Sequence, residues 1–339
     1  MKKNFLIRWA MISIIVSVAG IWPKIGAAQD AMKFFSKGTE HLRLGELDEA
    51  LTALTQAINL KSDYAAAYNN RGLTYYEKDE SDTRARDDYL MAIQLDPTNE
   101  EAKNNLGIFY FKQGDYANAK IYYTAALPAS QAQEKPYHAD VYNNLGVIYA
   151  KEGMIVNAED AYNNAIRITE NPNKPLGYTN AYYNRGNLYY EQKKFDQAIA
   201  DYTVTIDFYE SAKDIEYDFS DAYYNRGLCY FNKNQYDQAI AEYQSAINIK
   251  PDFIWAHYSK GYVHFLKGEY SQALAEFQQV LNLPNDFRAK EGAHSYAQLG
   301  MGLVYHKQGE YEKSLEKVKA SCSLGNASAC STLRDLGQL

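Results

Sequence analysis

Chemistry-bearing motifs are what this 339-residue sequence lacks. It has no glycine-rich phosphate loop, no Gly-x-Ser-x-Gly elbow and no His-Glu-x-x-His pair. The six histidines are scattered; His257 and His264 are seven apart on one helix, but His264 takes the place of the repeat tyrosine and reads as a packed residue rather than a metal ligand. Adjacent carboxylates such as Asp87 and Asp88 point to different faces of a helix. These absences argue against an enzyme; no catalytic residue, metal or cofactor is assigned, and no small-molecule substrate. Positive charge is also short. The net charge is −7, which opposes nucleic-acid binding, since that needs a basic face. No long charge run or low-complexity tail appears, and cysteine occurs three times.

The N-terminus has its own layout. Lys2, Lys3 and Arg8 precede an uncharged run from Trp9 to Trp22, and Gly26-Ala27-Ala28 follows. Basic, apolar and then small residues are the order of a secretory signal cut after Ala28. Residues 1–28 are therefore expected to be a signal peptide, which places the chain in a bacterial periplasm or outside the cell. The 14-residue apolar run is short for a membrane span, which needs about 20 residues. An uncleaved anchor is the alternative and would be the chain's one membrane contact. Removing Lys2, Lys3, Arg8 and Lys24 with the leader leaves a charge of −11.

What is abundant is tyrosine, 32 copies against 13 Phe, and it falls at regular places. In Ser220 to Phe253, Tyr223, Gly227 and Tyr230 share one helix face. Ala239, Tyr243 and Ala246 share a second. The polar run Asn232 to Gln235 separates them, and Pro251 ends the second helix. The glycine recurs as Gly38, Gly72, Gly107, Gly146, Gly186, Gly227, Gly261 and Gly302, at intervals of 34 to 41 residues. A small residue follows 12 or 13 positions later (Ala50, Ala85, Ala119, Ala158, Ala198, Ala239, Ala273, Ser314). A large one comes four after that (Leu54, Tyr89, Tyr123, Tyr162, Tyr202, Tyr243, Phe277, Val318). A period in this range marks a solenoid. The expected contact sets each glycine against the alanine of its own hairpin, with the large residues filling the space between turns. Gly300-Met301-Gly302 belongs to this pattern rather than to a dinucleotide motif.

On these residues the chain resembles the tetratricopeptide repeat family. The resemblance implies an all-α, right-handed superhelical solenoid of about eight helix-turn-helix repeats with a C-terminal capping helix. The repeats fall at about 31–64, 65–99, 100–138, 139–178, 179–219, 220–253, 254–294 and 295–328, within a solenoid spanning 31–336, and the capping segment is 320–339. Four of them carry extensions: Ala129 to His138, Thr169 to Tyr178, Tyr209 to Phe219, and one from Pro284 to His294. The second, with Pro172, Pro175 and Gly177, is expected to be a loop. For the extensions as a set, a longer second helix and a loop are both open.

Cys322 and Cys330 are eight apart. A straight helix would hold them about 12 Å apart at ~1.5 Å per residue, too far for a bridge. Gly325-Asn326 can break that helix. The segment resembles the Cys-containing hairpins of Sel1-like repeats, which implies a Cys322–Cys330 disulfide; two free thiols are the other reading. Cys229 is expected to be a buried, inert thiol.

The candidate binding surface lies on the first helices. Two residues before the glycine stand Asn70, Asn105, Asn144, Asn184 and Asn225 in the five central repeats. An amide has a donor and an acceptor for a peptide backbone, and the resemblance implies an extended-peptide groove at this position. Bonding to the adjacent repeat is the alternative role. The residue before each Asn changes from Asn69, Asn104 and Asn143 to Tyr183, Tyr224 and, in repeat seven, Tyr258. Trp255 and Phe265 add to the aromatic half. Family members that clamp a C-terminal carboxylate use cations where this chain has Tyr183, Trp255 and Ser259. Asn187 and Asn225 match, but every cation is missing, so that mode is rejected. The reading is a non-enzymatic exported scaffold binding an extended peptide or partner protein in a concave groove. A structural subunit of an envelope complex, using its convex face and extensions, is the alternative; an enzyme or glycan binder is a third.

Overall fold

The structure is a computed structural model that describes residues 26–128, 135, 137–169, 176–211, 219–283, 290–336 and 338. Among these every regular element is a helix. The expected signal segment, up to residue 25, lies outside the described residues, as do much of the first three extensions and the start of the fourth. Among the described residues no helix is long and apolar enough to cross a membrane.

Two compact units divide the chain at Glu152 and Gly153. The first holds α1 (26–43), α2 (Leu47–Leu60), α3 (Ala65–Lys78), α4 (Thr83–Leu95), α5 (Glu100–Lys112), α6 (Tyr116–Ala126) and α7 (His138–Lys151). The second holds α8 (Ile155–Thr169), α9 (Leu176–Glu191), α10 (Phe195–Ser211), α11 (Ser220–Asn232), α12 (Tyr236–Ile249), α13 (Ile254–Leu266), α14 (Tyr270–Asn282), α15 (Lys290–Lys307), α16 (Tyr311–Ser323) and α17 (Ala327–Asp335). Within each unit, consecutive helices pack as hairpins, and each hairpin packs on the next. Most hairpin turns close with one left-handed residue. It is glycine at Gly114 and Gly268, with φ of 76° and 78°, but Lys193 (φ 60°) and Asn234 (φ 58°) in repeats five and six. The next amide bonds back across the turn, as from Asp115 N to Tyr110 O and from Gln235 N to Tyr230 O, which satisfies carbonyls left over at the helix end.

The extensions resolve in part. The second does not remain a loop to Tyr178, because α9 begins at Leu176, directly after Pro175; proline is tolerated at a helix start but not inside one. The last extension, placed up to His294, is helical from Lys290 onward and belongs to α15. The third lengthens its helix, since α10 runs 17 residues to Ser211 where α12 runs 14.

The repeat positions form the core, with one correction to the expected contacts. Tyr89, Tyr123, Tyr202, Tyr243, Phe277 and Leu54 are fully buried. Each lies against the glycine of its own hairpin. A Cβ on Gly107 would fall 2.6 Å from Tyr123 Cδ1, and one on Gly227 would fall 2.7 Å from Tyr243 Cε1. The glycine therefore makes room first for the large residue; Gly72 and Gly302 also come against the backbone oxygen of their partner small residue, Ala85 and Ser314. A flat ring fills the whole space that the missing side chain leaves, which an alanine methyl could not. Phe277 is held twice, by Gly261 in its own hairpin and by Gly300, where a Cβ would fall 2.6 Å from its Cζ. Burial pushes the phenols of Tyr123, Tyr202 and Tyr243 far above the usual range.

A second repeated contact was not expected. The residue before the glycine is a cation in five repeats, and in four of them it pairs with the acid before the large aromatic. Arg71 grips Asp88 with two hydrogen bonds (2.7 and 2.8 Å), Arg185 grips Asp201 (2.8 and 2.8 Å) and Arg226 grips Glu242 (3.0 and 2.9 Å). Lys260 reaches Glu276 at 2.7 Å. The same cation also reaches the preceding repeat: Arg71 bonds Thr55, Arg185 Asn163, Arg226 Thr203 and Lys260 Gln244. One side chain thus ties three helices together. In repeat three the position is Leu106, fully buried and apolar.

At the C-terminus α16 ends at Ser323, Gly325 turns with φ 86°, and the Asn326 side chain caps α17 by accepting from Ala329 N at 3.1 Å. The turn brings Cys322 and Cys330 to 4.8 Å between Cα atoms, and a disulfide joins them. Leu333 and Ala329 bury against Val318. Cys229 is fully buried, and burial pushes its thiol up to about 12, so it stays protonated and unreactive at neutral pH.

Candidate peptide-binding surface

The two units treat the same repeat positions differently. In residues 1–152, Asn70 on α3 donates to Thr39 Oγ1 on α1 at 2.9 Å. Asn105 on α5 donates to Asn69 Oδ1 on α3 at 3.0 Å, and Asn69 lies within 3.4 Å of Asn70 Oδ1. Asn144 on α7 donates to the Tyr123 hydroxyl at 3.2 Å. Each amide therefore reaches back to the repeat before it, and it meets side chains rather than backbone. Asn69 and Asn143 are buried, while Asn70, Asn105 and Asn144 are half-buried. Asn104 is an exception. Its Oδ1 is buried with no hydrogen-bond partner.

In residues 153–339 the corresponding layer is aromatic. Asn225 on α11 donates to the Tyr183 hydroxyl and to Asn187 Oδ1 on α9, both at 3.1 Å. Tyr202 donates to the same Asn187 oxygen at 2.7 Å. Asn184 is half-buried on α9. Tyr183, Tyr224 and Tyr258 each lay a ring beside the buried aromatic of their own hairpin, at centroid distances of 5.9, 5.6 and 5.8 Å to Tyr202, Tyr243 and Phe277. Tyr224 also meets Phe253 at 5.0 Å, and its hydroxyl lies 3.4 Å from Ser259 Oγ.

From Tyr258 the rings run on without a break. Tyr262 stacks on it at 6.3 Å, Trp255 meets it edge-on at 6.0 Å, and Tyr296 of α15 lies 5.9 Å away. Tyr262 continues to Phe231 at 6.0 Å and Phe265 at 6.3 Å. These side chains are half-buried, and Tyr296 is 45% exposed. Burial pushes the Tyr258 phenol up to about 12. The band is broad, apolar on its faces and dotted with hydroxyls, the make-up of a contact surface. Sequence reading found Tyr183, Tyr224, Tyr258, Trp255 and Phe265 for it. Phe231, Tyr262 and Tyr296 were missed, although Tyr262 stands four residues after Tyr258 on one helix face. The pair expected from the rejected clamp, Asn187 and Asn225, does meet, but each is spent on the other and on tyrosine hydroxyls.

The tetratricopeptide repeat signature matches residues 99–171 and 138–211, and a second signature, described as a TPR repeat, matches 38–79 and 227–268. Together they cover more than half of the chain. The chain belongs to the tetratricopeptide repeat family. Proteins of this family are typically non-enzymatic interaction scaffolds that take protein or peptide partners, which supports a general scaffold role for this chain. Over 89 residues it is 30% identical to human tetratricopeptide repeat protein 6, a stretch that spans 26% of this chain and 17% of that protein. Among solved structures, pilF of Pseudomonas aeruginosa superimposes with a TM-score of 0.55 at 19% identity, covering 67% of this chain and 94% of that one. The Cut9 and Hcn1 hetero-tetramer of APC/C gives 0.53 at 14% identity, covering 81% and 52%. At these identities the likeness shows the fold.

Proposed function

We propose that this tetratricopeptide repeat protein is a non-enzymatic exported scaffold that holds an extended peptide or partner protein in the groove of its first helices. The aromatic layer of residues 153–339 is the principal contact. The observation that carries this reading is the unbroken series of rings from Phe231 through Tyr262 and Tyr258 to Trp255 and Tyr296. Such a surface has no packing task that would keep Tyr296 exposed, and it offers large contact area at low entropy cost. Asn184 and Asn225 belong to the same groove, where Asn225, whose donor is used on Tyr183 and Asn187, holds the ring in place. The series Asn70, Asn105 and Asn144 has a lesser part in binding, because its donors are used between repeats. Affinity capture from the periplasm or medium with the full chain tests the reading. Trp255→Ala with Tyr258→Ala reduces capture while the helical signal stays; unchanged capture overturns it. Export rests on the leader layout, and N-terminal sequencing of the mature protein starting at Gln29 supports it.

A second reading, a subunit assembling through its outer helices, draws support from Leu90, Met91 and Leu95 exposed together on α4 and Ile121 on α6. Charged substitutions there would reduce capture more than those in the aromatic band.

A further inference from the structure

One small cavity in residues 153–339 has a composition unlike the aromatic band beside it. It measures about 140 Å³ and lies between α9, α10 and the start of α11. Its walls are the rings of Tyr183, Tyr209 and Phe219, and its polar rim is Asn180 and Asp221. Tyr209 and Phe219 stack at 5.2 Å with planes 13° apart, which fixes one wall. Tyr183 is fixed by the hydrogen bond from Asn225 and by its ring contact with Tyr202. Asn180 and Asp221 are exposed, and among the described residues no cation pairs with the Asp221 carboxylate.

We propose that this cavity takes a cationic side chain, lysine or arginine, of the bound peptide. Three properties lead to that class. Ring faces carry negative potential and attract an ammonium or guanidinium group, most strongly where water is partly displaced. The rim is a carboxylate and a carboxamide, both able to accept from a donor-only group. The charge of the chain, −11 without its leader, favours approach of a basic partner over an acidic one. Asp221 also stands in the first turn of α11, where a carboxylate complements the helix dipole. That role accounts for an acid near the helix start. It does not account for its lining an aromatic cavity, nor for its field on the Tyr183 hydroxyl, whose phenol burial pushes up and the Asp221 charge pushes further. The rejected carboxylate clamp fits the same picture, because the groove here is built for the opposite charge.

This inference rests on the peptide-groove reading, and one experiment separates the two. A random nonapeptide display library is selected against the full chain. The selected peptides should share one Lys or Arg, and the best of them is remade with Met at that position. Replacing the cation should weaken binding to the wild type about tenfold and should have a smaller effect, about threefold, on binding to Asp221→Asn, which keeps the rings but loses the carboxylate. Phe219→Leu, which keeps an apolar wall without the ring, should lower the preference for the cation in the same direction. A peptide that loses equally on wild type and Asp221→Asn overturns the cation pocket while the groove stands. So does a selection with no shared cation. A library that yields no binder overturns the groove reading and this inference with it. Thermal melting of both variants confirms that they remain folded.

Discussion

The two units share one skeleton and line it with different chemistry. In residues 1–152 the residue before the ladder asparagine is itself asparagine, and the amides serve one another across repeats. Asn105 to Asn69 and Asn69 to Asn70 form such a relay. In residues 153–339 the position is tyrosine, and a hydroxyl takes over the bonding: Asn225 donates to Tyr183 where Asn105 donates to Asn69. An amide has little surface beyond its polar atoms, so once satisfied it has little left to offer a ligand. A tyrosine satisfied at its tip still presents a face. Tyrosine in place of asparagine at this position thus keeps an inter-repeat hydrogen bond and adds an aromatic face.

If the skeleton is common, breaking it should cost the same on either side. Tyr123→Ala in the first unit and Tyr243→Ala in the second should each destabilise their region by about 3–5 kcal/mol, the range for losing a large buried aromatic. Repeats contact only neighbours, so the loss is local rather than global. Amide hydrogen exchange in the two regions, rather than a single melting temperature, is the measurement to use. A cost below about 1 kcal/mol in one unit alone would show that the shared ring positions do not carry equal weight.

The next largest effect concerns the residue before the glycine. Arg226 and Glu242 each keep only 14% of their side-chain surface exposed. Arg226→Met leaves the carboxylate without its partner and should cost about 3 kcal/mol. Adding Glu242→Met should restore part of that, since a neutral pair carries no desolvation penalty. In repeat three the matching position is apolar, and Leu106→Met should cost less than about 1.5 kcal/mol. Chemical denaturation followed by tyrosine fluorescence would compare the three.

Periodicity made the hairpins legible, because a glycine that admits a ring, or Leu54 and Val318 in the first and last repeats, cannot gain a side chain without a clash. The partner of the glycine was misjudged. Spacing puts both Ala239 and Tyr243 on the facing helix, and only the side-chain direction along that helix selects the ring. The cation ties were visible and passed over. Arg71, Arg185, Arg226 and Lys260 each precede a repeat glycine, and each is followed 16 or 17 residues later by an acid. The helix starts at Leu176 and Lys290 were hidden by the prolines and polar residues before them, which suggest loops without saying where they stop. The asparagine ladder was legible as a position but not as a role. The same amide can reach a ligand or the previous repeat, and which it does depends on a few ångströms of inter-repeat spacing.

Binding should follow the same division. If the tyrosine faces are the contact surface, Tyr258→Ala weakens a selected peptide by about tenfold, as expected of a central aromatic anchor, and Asn225→Ala weakens it less. Asn70→Ala should leave affinity within about twofold, because its donor is committed to Thr39. Titration calorimetry with one peptide across the three variants checks this, and an Asn70→Ala loss equal to that of Tyr258→Ala would remove the distinction between the units.

The smallest effect is on pH, and it separates carboxylates within the second unit. Glu276 accepts from His257 and Lys260, both at 2.7 Å. Burial alone would raise its carboxyl, but those two hydrogen bonds and the neighbouring charges hold it below the ordinary 4.5. The unfolded chain then binds this proton more readily, so the contribution is present above pH 4.5 and is lost as pH falls through the lower folded value. Asp201 and Glu242 run the other way. Burial raises both above their ordinary values despite the arginine each faces. Their folded forms take a proton first, and their contribution to stability grows as pH falls toward the ordinary carboxylate range. Glu276→Gln should therefore flatten the acid-side loss of stability below pH 4.5, and Glu242→Gln should steepen the decline on acidification, because it removes a compensating gain. Stability measured across the acid range in both variants decides it. Two curves shifted in the same direction would mean that the lysine–histidine pair around Glu276 and the arginine at Glu242 do equivalent electrostatic work, against the difference in their geometry.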